Sequence, residues 1–158
     1  SSMSRYAQGI FRPKNMHKYV GKGFPRYRSS WEAHFFRFLD EHQNVLQWAS
    51  EALRIPYRHP ITGKMTTYVP DILMQYVDQK NMMHVDLIEI KPSSQTSLQE
   101  ARSNADKLHA IVNGAKWEAA RAYCKAQGIV FRVVSEKDLF KNSKPSRPRR
   151  KTNAVRKK

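Results

Sequence analysis

Apolar and polar positions along the chain divide it into a short series of elements. Trp31, Phe35, Phe38 and Leu39 recur at helical spacing, and Ser29 and Glu32 stand at capping-box spacing ahead of them, which predicts a helix from Ser29 to about His42. Residues 44–57 alternate and are bounded by Pro56, so they predict one or two strands with Trp48, Leu53 and Ile55 inward. His59-Pro60-Ile61-Thr62-Gly63-Lys64 reads as a turn, followed by strands over 65–77 and 83–91. The polar break Asp78-Gln79-Lys80-Asn81 between them is a hairpin turn, and Pro92, which lacks an amide donor, ends the second strand. A helix is expected over 96–112, with Leu98, Ala101, Ala105, Leu108 and Val112 on one side and a break at Asn113-Gly114. A second helix over 115–127 stops at Gly128, and the apolar run 129–134 predicts a central strand. A short last helix is expected over 135–140. Helix, antiparallel strands, helices and one more strand describe an α/β sandwich with a mixed sheet.

Charge changes this picture at the two ends. The 158 residues hold 29 Lys and Arg against 13 Asp and Glu, a net charge of +16. Seven bases and no acid lie in residues 1–28, and nine bases and no acid lie in 141–158. The remaining 29–140 is therefore neutral. Three regions follow: a basic, irregular N-terminal arm over 3–28, a core domain over 29–140, and a basic tail over 141–158 whose prolines and charge predict disorder. The arm's aromatics (Tyr6, Phe11, Tyr19, Phe24, Tyr27) read as anchors on the core, leaving its bases facing outward. Acid-free arms on a neutral core are the footprint of a polyanion binder. No amphipathic anchor accompanies them, so nucleic acid is favoured over membrane, and Arg26, Arg28, Arg147, Arg149, Arg150 and Lys151 are candidate phosphate contacts with Lys116 added from the core. The single Cys124 excludes an internal disulfide and a cysteine-rich zinc site, and it shares a helical stripe with Trp117 and Ala120, as a buried hydrophobe does. No run is long enough to span a membrane and no secretory pattern is present, which points to an intracellular setting.

Chemistry concentrates in Tyr68-Val69-Pro70-Asp71-Ile72 and Leu87-Ile88-Glu89-Ile90-Lys91-Pro92. With the hairpin centred near residues 79–80, Asp71 falls opposite residues 88–90, and facing side chains on one side of such a pair stand about 5 Å apart. Glu89 and Lys91 share a face by strand alternation. Acids inside apolar strands are costly unless paired or metal-bound. Asp71 and Glu89 suit a hard cation such as Mg²⁺ (with Mn²⁺ as a substitute), the backbone carbonyl of Ile90 offers a third oxygen, and Glu32 offers a direct or water-mediated ligand. Lys91 is placed to orient a water or to stabilise a pentavalent phosphate. Each has a plainer reading. Glu32 can be the acid of a capping box, Asp71 a turn acid after proline, and Glu89 with Lys91 a solvated ion pair. The apolar residues beside Asp71 argue against a turn, and Leu87 on the Glu89 face argues against a solvated one.

Pro70-Asp71 followed by Glu89-Ile90-Lys91, with a helical glutamate upstream, resembles the PD-(D/E)xK nuclease signature. The strings from Arg26 to Glu32, Gln47 to Glu51, Ala115 to Ala120 and Tyr123 to Gly128 are similar to its TnsA-like branch, which includes the head completion nucleases of tailed phages. The resemblance spans residues 4–140 and implies a restriction-endonuclease-like mixed sheet flanked by helices. It also implies a Mg²⁺-dependent deoxyribonuclease acting on double-stranded DNA, at packaged DNA or the portal, before the tail joins the head. Phage portal or other head proteins are the implied partners, and the host bacterial cytoplasm or the virion the implied setting. A non-catalytic, DNA-binding virion protein on the same fold is the competing reading; the presence of Lys91 favours the enzyme.

Overall fold

The computed structural model describes residues 8–138. The first described residues form two short strands, β1 (Gly9–Ile10) and β2 (Arg26–Tyr27), joined by a loop with a 3₁₀ turn at Met16–Lys18. Phe11 packs on Phe36 and Trp48, the Tyr19 and Trp48 rings meet edge-on at 4.7 Å, and Tyr27 packs on the same cluster, so these three anchor as expected; Phe24 is exposed, and Tyr6 lies outside the described residues. The outward orientation of the bases holds less well. Lys18 is buried, its Nζ donating to the carbonyls of Asp40 and His42, while the Asp40 carboxylate accepts from the Lys14 and Asn15 amides. A buried ammonium needs such acceptors, and here it ties the arm to the end of the first helix.

Helix α1 (Ser30–Glu41) starts where expected, with the Ser29 hydroxyl accepting from the Glu32 amide at 3.1 Å. Its buried face is Phe35, Phe36 and Leu39, whereas Phe38 is exposed and stacks on Phe35. Three strands follow as an antiparallel group: β3 (Val45–Ser50), β6 (Ile72–Val77) and β7 (Met83–Ile90), with β8 (Val130–Val134) added parallel to β7. The order β3-β6-β7-β8 puts β8 at the edge, with Val130 exposed, not at the centre as its apolar run suggests. Its inner residues are apolar because the sheet has a layer on each side. Val134 joins the α1 layer and Val133 the other.

The expected strand over 65–77 is two strands. β5 (Met65–Tyr68) pairs with β4 (Ile55–Arg58) in a separate hairpin, and the chain bends at 69–71 before entering β6. Pro70 is fully buried at this bend and brings no amide to a ladder. The hairpin packs through Ile55, Tyr57 and Tyr68 against Trp117, Ala120 and Cys124 of helix α2 (Asn104–Gln127). This helix replaces the two that were expected. Residues 96–103 lie before it, leaving Leu98 exposed, and the helix runs through Asn113-Gly114 without a break. Asn113 is buried and donates to the Gln95 carbonyl at 3.0 Å, an anchor that outweighs the local cost of glycine in a helix. Gly128 ends α2 at φ 73°, as expected. Residues 136–138 begin the last helix; its continuation and the whole tail, including Arg147, Arg149, Arg150 and Lys151, lie outside the described residues.

Candidate active site

The β6–β7 hairpin fixes the central pair. Asp78 closes its turn by accepting from the Lys80 and Met82 amides, and the register places Ile72 opposite Ile88. One step further along that register, Asp71 faces Glu89. Asp71 itself occupies the bend after Pro70 and is half-buried there, a placement the flanking apolar residues alone do not indicate. Its Oδ2 accepts from the Ile90 amide at 2.7 Å. Ile90 thus contributes its N–H to hold Asp71, where its carbonyl was the expected contribution.

Glu89 is 5 % exposed. Its Oε1 accepts from the Tyr68 hydroxyl at 2.8 Å and its Oε2 lies 3.3 Å from Lys91 Nζ, so strand alternation delivers the expected pairing. Burial, then the charges of Glu89 and Glu32, push the Asp71 carboxyl well above the usual carboxylate range. Burial also raises Glu89, with Lys91 acting against it. Lys116, on α2, reaches the same place: its Nζ sits 5.6 Å over the Tyr68 ring, and burial and then the Lys91 charge lower its pKa. Burial and the Glu89 carboxylate raise the Tyr68 hydroxyl, keeping it a proton donor.

Glu32 caps the amide one residue ahead of the Ser29 cap and stands near Asp71. At the third position of α1 its Oε1 accepts from the Arg28 amide, and its charge reaches Asp71. Among the described residues no three Asp, Glu, His or Cys side chains converge as a metal cluster, so Glu32 flanks the Asp71–Glu89 pair without completing a three-carboxylate cage. The pair alone fits a hard cation, which commonly takes one or two carboxylates with water and phosphate filling the other positions. Two repelling acids, one buried and one half-buried, are also the arrangement that a cation would relieve.

Two residues with no role in the sequence reading belong to this neighbourhood. Tyr68 lies within the motif string but reads there only as a strand former. Glu51 follows β3, forms an ion pair with the Arg28 guanidinium, and donates its amide to the Asp71 carbonyl at 2.9 Å. Its φ of 54° lies in the left-handed region, which nothing about a glutamate signals in advance. Such a backbone costs a non-glycine residue about 1–2 kcal/mol. An exposed ion pair contributes about 0–1 kcal/mol, so stability alone does not account for Glu51. Arg28 is thereby brought to the site's edge. Arg26 stays exposed on β2.

Residues 42–136 match the family described as TnsA-like endonuclease, N-terminal. The chain belongs to the TnsA-like endonuclease family. Its restriction-endonuclease-like architecture, a mixed sheet between α1 and α2, agrees with that membership. The TnsA-like chain is also 33% identical over 144 residues to the head completion nuclease of Enterobacteria phage T4, covering 83% of this chain and 92% of that one. The matched family region holds Asp71, Glu89, Lys91, Lys116, Glu51 and Tyr68, while Glu32 and Arg28 lie ahead of it. Among the described residues no helix is long and apolar enough to cross a membrane.

Proposed function

We propose that this chain is a divalent-cation-dependent DNA endonuclease that hydrolyses phosphodiester bonds at Asp71, Glu89 and Lys91. The observation that carries the reading is the pairing of half-buried Asp71 with buried Glu89, held by Ile90 and Tyr68, with Lys91 3.3 Å from Glu89. Asp71 and Glu89 would hold Mg²⁺ or Mn²⁺, and the chemistry such an ion would supply is neutralisation of phosphate charge and a more acidic water. The chain's own groups do the rest. Ile90 and Tyr68 orient the carboxylates, Lys91 and Lys116 supply positive charge toward a phosphate, and Glu32 adds a flanking acid to hold a water. The basic arms grip backbone phosphates, which gives affinity without sequence readout. By likeness to the phage T4 relative, the activity serves head completion, on packaged DNA or at the portal, with head proteins as neighbours in the virion or the host cytoplasm.

Supercoiled plasmid incubated with Mg²⁺ tests this beside Asp71→Ala and Lys91→Ala. Nicking by the wild type and not by the variants is expected. Equal nicking by all three would overturn the site. No nicking with Mg²⁺ or Mn²⁺ would leave the non-catalytic DNA-binding reading in its place.

A further inference from the structure

Glu51 stands out because its placement is unfavourable twice. Its backbone is left-handed, and its carboxylate adds negative charge at the edge of a site proposed to receive a polyanion. Its side chain is 41% exposed, so it fills no part of the core. What it does touch is specific. The Ser50–Ile72 pairing that ends the β3–β6 ladder sets Glu51 beside Asp71, whose carbonyl takes its amide. The left-handed turn at this point directs the glutamate to Arg28, whose own amide is bound to Glu32. Arg28 therefore lies within the fields of Glu51, Glu32 and Asp71, all of which stabilise its charge, the hydrogen bond it donates to Glu51 most of all.

We propose that Glu51 is a positioning residue: from its left-handed backbone beside Asp71 it fixes the Arg28 guanidinium at the rim of the acid pair, where Arg28 receives a DNA phosphate next to the bond being cut. The inference rests on the nuclease reading above and adds to it the residue that sets the geometry. A guanidinium carries five donors in a rigid fork, so one nitrogen can be held by a carboxylate while the others take phosphate oxygens. Left unheld, Arg28 is an exposed, long side chain that loses rotamer freedom only when DNA binds. A glycine would relieve the backbone at this position, and the glutamate is explained by what its carboxylate holds.

The two roles open to Glu51 differ in sign. If it merely masked Arg28, or repelled DNA, removing its charge would tighten binding. If it positions Arg28, removal weakens binding although a negative charge is lost. The experiment uses the full chain with Glu51→Gly, Arg28→Ala and the double variant, measuring duplex binding across salt concentrations, plasmid cleavage in Mg²⁺, and Tm. Expected are an affinity loss for each single variant, a salt slope lower by about one for Arg28→Ala, and a roughly tenfold fall in kcat/KM of the kind misplacement causes. The double variant should be no worse than Arg28→Ala alone, as two residues acting through one contact require. Tm of Glu51→Gly should be no lower than wild type. Tighter binding, additive losses, or a lowered Tm for Glu51→Gly would each overturn the proposal. Binding decides it even if the wild type does not cleave, a result that would count against the nuclease reading instead.

Discussion

Strand β7 buries two acids three residues apart, and the sheet treats them oppositely. Asp86, 2 % exposed, faces the α1 side, where its Oδ2 accepts from Arg132 Nε at 2.9 Å and from the Tyr76 hydroxyl at 3.3 Å. Glu89, on the α2 side, faces a second acid, the half-buried Asp71, with Lys91 at 3.3 Å and Lys116 nearby. The first is a carboxylate whose charge is matched by a guanidinium within the fold. The second is half of a pair of acids that repel each other although Lys91 and Lys116 stand beside them. Burial alone does not separate the two acids; a like charge opposite is the feature on which the proposed site rests.

Removing each acid's support should break the molecule differently. Asp71→Asn retains the oxygen that accepts from Ile90 and deletes a repelling charge. It should lower cleavage on the order of 10³-fold, comparable to deleting a transition-state donor, while the urea midpoint rises. Arg132→Ala should do the reverse, costing about 1–3 kcal/mol of stability by stranding Asp86 with cleavage per folded molecule near wild type. Urea melts and plasmid nicking on the same preparations check both.

Stability against pH sharpens the contrast. Asp71 has a pKa raised by folding, so between its unfolded value, about 3.9, and the raised one the native state binds the extra proton. Stability in chelator should then fall as pH rises through that window, while activity, which needs the carboxylate charged, should climb. Asp71→Asn should flatten the stability slope. A smaller effect, about tenfold in metal affinity or rate, is expected for Tyr68→Phe, which frees Glu89 without touching its charge. Mn²⁺ titration and initial rates measure it.

The hairpin site was readable because turn, register and alternation are local rules: residues 78–81 set the turn, and counting back pairs Asp71 with Glu89. The parts that were not readable depend on contacts distant in sequence. The expected long strand splits because Pro70 sits at a junction where β5 joins β4 and β6 joins β3, a choice no single-strand pattern contains. Helix α2 runs through Asn113-Gly114 because Gln95 receives the asparagine. The apolar run of β8 fits a central strand as well as an edge strand covered on both faces. Glu51 was invisible for a different reason. Its meaning lies in a backbone angle and in Arg28, twenty-three residues away.

Calorimetric titration of Mn²⁺ into wild type, Asp71→Asn and Asp86→Asn tests the difference between the two acids most directly. Saturable binding by wild type and Asp86→Asn, and its loss in Asp71→Asn, is the expected result. Equal binding by Asp71→Asn, or loss of binding in a folded Asp86→Asn, would contradict the assignment of the cation to the Asp71–Glu89 pair.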